Sequence, residues 1–358
     1  MEPLKILIIG MDPPVHFDLM LDPEIIEPEM ELVALAASHD DSDEIEKLSR
    51  IAGERGLRFS EHWQDLIDKV NAVVYLGPYG YRGDAFLQIF SAKELEVLII
   101  DKPLVCTLDE LNQVEAARIS RPDLDILPLL TVRYDDRYEI IKRLYETGTI
   151  GEVIKAEAWR PHKLGKRPEW FFKKETYPGV IQDLCVHDVD IITYITGQRI
   201  IAVHGAYEII STKEAGKISA YGGFGATLEN GAVVSITADW LTGPEAPYHG
   251  DTGLSLTGTK GKLELISDGS GKGLYIETRN EFLSSLGPGW DVEVIDATKG
   301  YFKVACPQTD YSLDFRRTLE DFFLFRKGSK ERLVVTMEDL VAATKVTVIA
   351  GEIGQRDS

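Results

Sequence analysis

Short apolar runs, each stopped by a turn residue, alternate with helix-like patterns through the first third of the chain. The predicted strands are residues 4–10, 32–37, 72–76, 96–100 and 126–132. Unbroken apolar runs of this length are typical of strands buried on both faces of a parallel sheet. Helices are predicted between them, one capped by Asp41 or Ser42 and one opened by the Thr107–Glu110 capping box. The alternation predicts a doubly wound parallel sheet.

The pattern changes near residue 130. A helix is predicted over residues 136–146, followed by β-like runs punctuated by glycine and by two closing helices. The predicted strands are residues 153–159, 218–224, 232–240, 253–257, 262–266 and 274–278, and the closing helices are residues 313–326 and 336–350. Within 232–240, polar and apolar side chains alternate with period two, which indicates an antiparallel sheet covered on one face. We therefore predict an α/β domain over residues 1–130 and an α+β domain with a large, mainly antiparallel sheet over 131–358.

One predicted helix carries an unusual polar edge. It follows the Pro178–Gly179 turn signal, is stopped by Gly197, and contains Asp183, His187 and Asp190. At about 100° per residue these three side chains lie within roughly 60° of each other. They fit a solvated edge or a structural histidine, an acid–base site, or part of a divalent metal site. The helix alone does not decide between these alternatives.

Ligands of open parallel sheets bind at the carboxyl ends of the strands. The first such loop, Gly10–His16, keeps only the first glycine of the dinucleotide fingerprint, and its two prolines remove two N–H donors. This loop alone does not predict a conventional dinucleotide-binding site. Lys102 follows another strand and precedes Pro103, which favours an extended conformation at the sheet rim. An ammonium, an imidazole and a carboxylate converging on a cleft would suit proton removal from an alcohol as hydride leaves its carbon.

Composition narrows the functional class. A formal charge of -20 over 358 residues argues against a nucleic-acid partner, which needs a basic footprint. Cys106, Cys185 and Cys306 are scattered and odd in number, so neither a disulfide framework nor a cysteine-based zinc site is expected. We find no apolar run of membrane-spanning length and no signal-peptide pattern, and therefore expect a cytoplasmic protein without a membrane partner.

Four motifs in order resemble the glucose–fructose oxidoreductase / inositol dehydrogenase / MocA (Gfo/Idh/MocA) family of NAD(P)-dependent oxidoreductases. Asp101-Lys102-Pro103 resembles the family's E-K-P motif, and residues 183–190 resemble its D-x-x-x-H-x-x-D helix. Residues 148–153 match the G-x-I-G-E-V end of the link between domains, and the two closing helices also fit. The resemblance implies a Rossmann-type domain followed by a substrate-binding α+β domain. It also implies a homodimer or homotetramer formed through the second-domain sheet.

The resemblance also implies roles for individual residues. Lys102 would hold the substrate hydroxyl near the nicotinamide, His187 would be the general acid or base, and Asp183 would contact the substrate. Asp190 is expected to be a structural partner. The positions matching the cofactor site are Gly10, Ser38, His39, Gly77, Pro78, Tyr79 and Lys102. Because neutral Ser38 and His39 precede Asp40 and Asp41, the choice between NAD and NADP stays open. Candidates for a polar, sugar-like pocket are Tyr81, Arg82, Arg160, His162, Lys163 and Trp170.

Three functions compete. The first is an oxidoreductase that moves hydride between NAD(P) and a hydroxyl or carbonyl of a sugar, cyclitol or related polyol. The second is a non-catalytic regulatory relative that binds a dinucleotide or sugar, which the degenerate Gly10 loop favours. The third is a metal-dependent hydrolase or isomerase using His187 with Asp183 or Asp190. It is the weakest, because no third or fourth ligand stands at a useful spacing, and no metal is expected.

Overall fold

The computed structural model describes residues 3–25, 29–213, 216–267, 272–278, 292–305 and 310–356. The chain divides into two compact units. The first unit comprises Met1–Thr131, Trp170–Pro178 and Tyr311–Lys345, and the second comprises Val132–Glu169, Gly179–Asp310 and Val346–Ser358. The division predicted from the sequence places residues 170–178 and 311–345 in the second domain, whereas their contacts assign them to the first unit.

The secondary structure follows most of the predicted elements. The strands are β1 Leu4–Gly10, β2 Met30–Ala36, β3 Arg58–Ser60, β4 Ala72–Leu76, β5 Val97–Ile100, β6 Asp125–Pro128, β7 Val153–Pro161, β8 Ile200–Lys213, β9 Gly216–Leu228, β10 Val233–Asp239, β11 Gly253–Gly258, β12 Lys262–Ser267, β13 Lys272–Glu277, β14 Val292–Asp296 and β15 Tyr301–Val304. The helices are α1 Pro14–Met20, α2 Ser42–Arg55, α3 Arg82–Ser91, α4 Leu108–Ile119, α5 Asp136–Glu146, α6 Val180–Thr196, α7 Tyr311–Arg326 and α8 Met337–Arg356.

The first unit is built on a six-stranded parallel sheet of order β3-β2-β1-β4-β5-β6. The strand order reverses between β1 and β4, which is the topological switch point of a doubly wound sheet. Every residue of β4 is buried, as a strand covered on both faces requires. The same hydrophobic core contains Phe315, Leu319 and Phe322 of α7. This aromatic face explains why α7 belongs to the first unit.

The second unit contains a nine-stranded sheet of order β14-β15-β13-β12-β11-β7-β10-β9-β8. Its pairs are antiparallel except β7 with β10, so the predicted mainly antiparallel sheet is confirmed. In β10 the burial alternates residue by residue, with Val234, Ile236 and Ala238 buried. The alternation of polar and apolar residues in the sequence therefore predicts correctly which face of this strand is covered.

Several elements differ from the sequence-based expectation. The strand predicted over residues 126–132 ends at Pro128, and Thr131–Tyr134 forms a short 3-10 helix. Helix α1 begins at Pro14, since proline is favoured in the first turn, where its missing N–H has no intrahelical acceptor. Strands β3, β8, β14 and β15 were not predicted. Cys306 lies outside the described residues, and no helix in the described part of the chain has the length and hydropathy of a membrane span.

Candidate functional site

At the carboxyl rim of the first sheet, two glycines allow the backbone to approach its neighbours closely. Gly10 has a φ of +82°, and a Cβ there would lie 2.4 Å from the Leu76 carbonyl oxygen. A Cβ at Gly77 would lie 2.6 Å from Tyr75 Oη and 2.8 Å from Ser38 Cβ. Side chains are excluded at both positions. The structure thus brings three predicted cofactor residues, Gly10, Ser38 and Gly77, to one part of the rim.

The loop after β1 has few backbone donors to offer an anion. Pro13 and Pro14 carry no N–H, the Asp12 N–H donates to Leu76 O at 2.9 Å, and the His16 N–H donates to Pro13 O at 3.1 Å. The Asp12 carboxylate accepts from Trp170 Nε1 at 2.9 Å. A dinucleotide pyrophosphate would therefore receive less support from this loop than a glycine-rich fingerprint gives.

Glu44 is a residue of this rim that the sequence did not indicate. From the first turn of α2, its buried carboxylate accepts the Ser38 N–H at 2.5 Å and the Ser38 hydroxyl at 2.8 Å. Burial raises the pKa of Glu44 to about 7, although its bonds to Ser38 act in the opposite direction. His39 Nδ1 lies 3.0 Å from Ser38 Oγ, and the His39 ring packs at a tilt against that of Tyr81, with 5.4 Å between the ring centroids. Burial lowers the pKa of His39, against the nearby charge of Asp41.

Lys102 follows β5 as predicted; the residue is 8% exposed, and its Nζ lies 5.9 Å from the centroid of the Tyr79 ring. The residue before it, Asp101, is completely buried and lies 3.3 Å from both His16 Nδ1 and Arg82 Nη2. Burial would raise the pKa of Asp101, but His16, Arg82 and Lys102 lower it to about 2. Asp101, the residue directly before Lys102, is therefore held as a carboxylate.

Arg82 does not line a pocket, contrary to its prediction as a substrate residue. Its side chain has no exposed surface, and Nη1 donates to the carbonyls of Asp101 at 2.7 Å and Pro103 at 2.5 Å. Nε donates to Gly77 O at 3.3 Å, and the guanidinium also pairs with the Asp101 carboxylate. Arg82 fixes the loops that follow β4 and β5, which carry Gly77 and Lys102.

In the second unit, α6 presents His187 as a partly exposed side chain among buried ones. Asp183 is 2% exposed, and the residues on either side of His187 are buried. Gly179, with φ +105°, precedes the helix, and Gly197 ends it in the left-handed conformation. The first N–H groups of α6 donate to Ser219 Oγ at 3.1 Å and Glu208 Oε1 at 3.4 Å. The buried Glu208 carboxylate also suits the positive end of the helix dipole.

Two buried ion pairs anchor the middle of α6. Asp190 accepts from Arg133, with Nη2 to Oδ1 at 2.6 Å, and is the structural partner expected from the sequence. Asp188 accepts from Arg160 Nη2 at 2.6 Å and Nε at 3.0 Å. Arg160 is 5% exposed, so it holds the helix rather than lining a sugar pocket, which corrects its prediction. Together these pairs fix the orientation in which Asp183 and His187 are presented.

The remaining predicted pocket residues are divided between the units. His162 packs 6.0 Å from the ring of Trp240 and 4.7 Å from that of His249. Lys163 Nζ donates to the Pro244 carbonyl at 2.9 Å. In the first unit, Trp170 is buried and Tyr81 is 43% exposed. Pro78 directly precedes the 3-10 turn that carries Tyr79. No group of three metal-ligating side chains occurs among the described residues.

Comparison with known proteins extends these observations. Residues 138–264 match the family model of the GFO/IDH/MocA C-terminal domain. The chain is 24% identical over 225 residues to scyllo-inositol 2-dehydrogenase (NAD(+)) of Bacillus subtilis (strain 168). That match covers 61% of this chain and 62% of the relative, so the similarity spans less than two thirds of the relative's length.

Solved structures share the whole fold. Myo-inositol 2-dehydrogenase from Lactobacillus plantarum superposes with a TM-score of 0.70 and 19% identity, covering 100% of this chain and 98% of that one. The transcriptional regulator Gal80p from Kluyveromyces lactis gives a TM-score of 0.72 with 15% identity, covering 100% of this chain and 91% of that one. These likenesses establish the architecture alone, since enzymes and a regulator share it. Residues 138–264 therefore resemble the GFO/IDH/MocA C-terminal domain, and the whole chain shares its fold with the two solved structures.

Proposed function

We propose that this protein is an NAD(P)-dependent oxidoreductase that moves hydride between the dinucleotide and a hydroxyl or carbonyl of a sugar, cyclitol or related polyol. The observation that carries the proposal is that buried charged groups fix the elements bearing Lys102, Asp183 and His187, the three positions that match the family's catalytic motifs. Lys102 directly follows the buried, ionised Asp101, and Asp183 and His187 lie on a helix anchored by two buried ion pairs. The Bacillus subtilis relative, a scyllo-inositol dehydrogenase, supports a cyclitol-like substrate.

The rim of the first unit has residues suited to the adenosine part and to the nicotinamide part of a dinucleotide. Gly10 and Gly77 leave the backbone open, Ser38 and His39 follow β2 at the ribose-reading position, and Lys102 follows β5. Pro78 and Tyr79 would lie along the cofactor. When bound, NAD(P) would accept or donate the hydride. The depleted Gly10–His16 loop predicts that these contacts carry more of the affinity than the pyrophosphate does.

The side chains would manage the proton that accompanies hydride transfer. Lys102, as an ammonium, would donate a hydrogen bond to the substrate oxygen and stabilise its negative charge. His187 would take the hydroxyl proton during oxidation and return it during reduction, since histidine commonly serves as a general acid or base. Asp183 would accept a hydrogen bond from a second substrate hydroxyl. Asp188 and Asp190 would hold α6 in place through Arg160 and Arg133.

A turnover screen tests the proposal. The protein is incubated with a panel of inositols and sugars plus NAD or NADP, and reduced nucleotide is followed at 340 nm. We expect one substrate class to react, and Lys102→Ala and His187→Ala each to lower turnover by about 10²–10⁴-fold. The matched controls Lys93→Ala and His62→Ala change exposed residues of the same types and should leave turnover unchanged. Undiminished turnover in both site variants would refute the assigned roles.

A regulatory function is the second candidate, and the poor anion loop after β1 favours it. The fold is also that of the regulator Gal80p. A regulator would bind dinucleotide without turnover on any member of the panel. In that case the Lys102→Ala variant would largely keep the regulatory role of the protein, which depends on binding and not on turnover.

We also propose a homodimer or homotetramer formed through the second-unit sheet. Strands β8 and β10 carry large apolar side chains that are exposed in the single chain: Ile201, Tyr207, Ile209, Ile210 and Val233. Exposed apolar groups concentrated on one sheet are typical of association surfaces. Light scattering at micromolar concentration should give a multiple of the 40.0 kDa chain mass. A monomer would contradict this proposal.

A further inference from the structure

The residues that follow β2 form a hydrogen-bonded cluster around the Glu44 carboxylate. Both donors of Ser38 are used internally, because its N–H and its hydroxyl donate to the Glu44 carboxylate at 2.5 and 2.8 Å. What Ser38 can still offer a ligand is the lone pairs of its oxygen. The Asp41 carboxylate is also an acceptor and caps α2 by accepting from the Glu44 N–H at 2.9 Å.

An acceptor surface distinguishes the two nicotinamide dinucleotides. The adenosine ribose of NAD carries a 2′-hydroxyl, which can donate a hydrogen bond, whereas that of NADP carries a 2′-phosphate, which offers acceptors and negative charge. Glu44 and the carboxylates whose charge reaches it, Asp12 and Asp41, would repel that phosphate. Lys173 is a cation close enough to affect His39, but the three carboxylates of Asp12, Asp40 and Asp41 act on His39 with the opposite charge.

A second feature indicates that a ligand completes this cluster. The Tyr75 side chain is completely buried, and its hydroxyl has no hydrogen-bond partner among the described residues. Tyr75 Oη and Ser38 Cβ lie 2.6 and 2.8 Å from the position that a Gly77 Cβ would occupy. An unsatisfied hydroxyl in the core costs free energy, so its position beside Ser38 indicates a polar group supplied from outside the chain.

We propose that Glu44, acting through Ser38, makes this protein select NAD(H) over NADP(H). The inference rests on the proposed dinucleotide-binding function and deepens it by naming the cofactor. In the usual arrangement an acidic residue about 20 positions after the glycine loop bonds the ribose directly. Here Ser38 occupies that position after β2, and the negative charge beside it comes from Glu44 in the first turn of α2.

Binding titrations at pH 8, where Glu44 is ionised, test the inference without relying on turnover. NADH and NADPH are titrated separately into the wild type, Glu44→Gln and Ser38→Ala, following nucleotide fluorescence. The wild type should bind NADH at least about tenfold more tightly than NADPH. Glu44→Gln should reduce that ratio by about tenfold, chiefly by tightening NADPH binding. Glu46→Gln, an exposed change on the same helix, should leave the ratio unchanged.

Each outcome bears on the inference. Equal binding of both nucleotides by the wild type, or an unchanged ratio in both Glu44→Gln and Ser38→Ala, would overturn it and leave the dehydrogenase proposal standing. Binding of neither nucleotide by the folded wild type would overturn both proposals. If Glu44→Gln does not fold, Ser38→Ala alone decides, since its loss of the oriented oxygen should weaken NADH binding more than NADPH binding.

Discussion

Replacing Glu44 by Gln should remove a pH dependence of stability that this one buried carboxyl creates. Burial raises the Glu44 pKa in the native state from 4.5 to about 7. Between these two values the unfolded chain is ionised at Glu44 while the native protein keeps the proton. The stabilisation from Glu44 is therefore fully present below pH 4.5, is lost progressively as pH rises, and is gone above about pH 7.

The size of the effect follows from the shift in pKa. A rise from 4.5 to about 7 corresponds to about 3 kcal/mol of differential stability between the protonated and ionised forms. Glutamine does not titrate, so Glu44→Gln should unfold with a free energy that changes less with pH. Relative to the wild type, the variant should gain about 2–3 kcal/mol between pH 5 and pH 8. Because the gain is the unfolding free energy of the variant minus that of the wild type, the contributions of all other titrating carboxyls cancel.

Urea unfolding at pH 5, 6, 7 and 8, followed by tryptophan fluorescence, measures this gain. Trp63 is buried in the same unit and reports its unfolding. The exposed Glu46→Gln change on α2 is the matched control and should run parallel to the wild type at every pH. A Glu44→Gln profile that is also parallel to the wild type would refute the reasoning, because it would show that Glu44 titrates alike in both states.

Three further stability measurements test other parts of the two units. Asp190→Asn leaves the Arg133 guanidinium buried beside a neutral group, and should lower the urea unfolding free energy by about 3–5 kcal/mol. Gly10→Ala should lower the thermal midpoint by an amount equivalent to about 1–3 kcal/mol or more, because alanine at φ +82° would meet the Leu76 carbonyl; an unchanged midpoint would contradict the strained turn. The pKa of Asp101 is lowered from 3.8 to about 2, so the stability it contributes above pH 3.8 should be lost as pH falls toward 2. Acid titration of Asp101→Asn should show about 2 kcal/mol less of this loss than the wild type.

Local signals in the sequence predicted what depends on neighbours along the chain. The α4 capping box needs only Thr107 and Glu110, and both of its hydrogen bonds form in the structure. The strand β4 was predicted residue for residue, because a short apolar run stopped by Gly77-Pro78 has few other interpretations. The position of Lys102 after β5 could likewise be read from strand and proline alone.

Burial and through-space pairing were not predictable in the same way. Arg82 and Arg160 are predicted from the sequence as residues of a polar, sugar-like pocket, yet both are buried in ion pairs with Asp101 and Asp188. Arginine is almost never fully buried unless it is paired, and the sequence does not show the pairing. Glu44 lies in the first turn of α2, where an acidic residue is common, so the sequence does not single it out. Its role becomes visible only when the chain places it against Ser38, six residues earlier and at the end of a different element.

The buried charges bear on the choice between a dehydrogenase and a regulator. They concentrate after β2, after β5 and along α6, and each is a costly group to remove from water. A protein that only sensed a dinucleotide would need the first group, but gains nothing from an ionised Asp101 next to Lys102 or from two ion pairs that anchor the helix of His187. Fixing a cation and an imidazole in defined orientations is useful when a proton must be transferred in step with a hydride. The distribution of buried charge therefore favours catalysis.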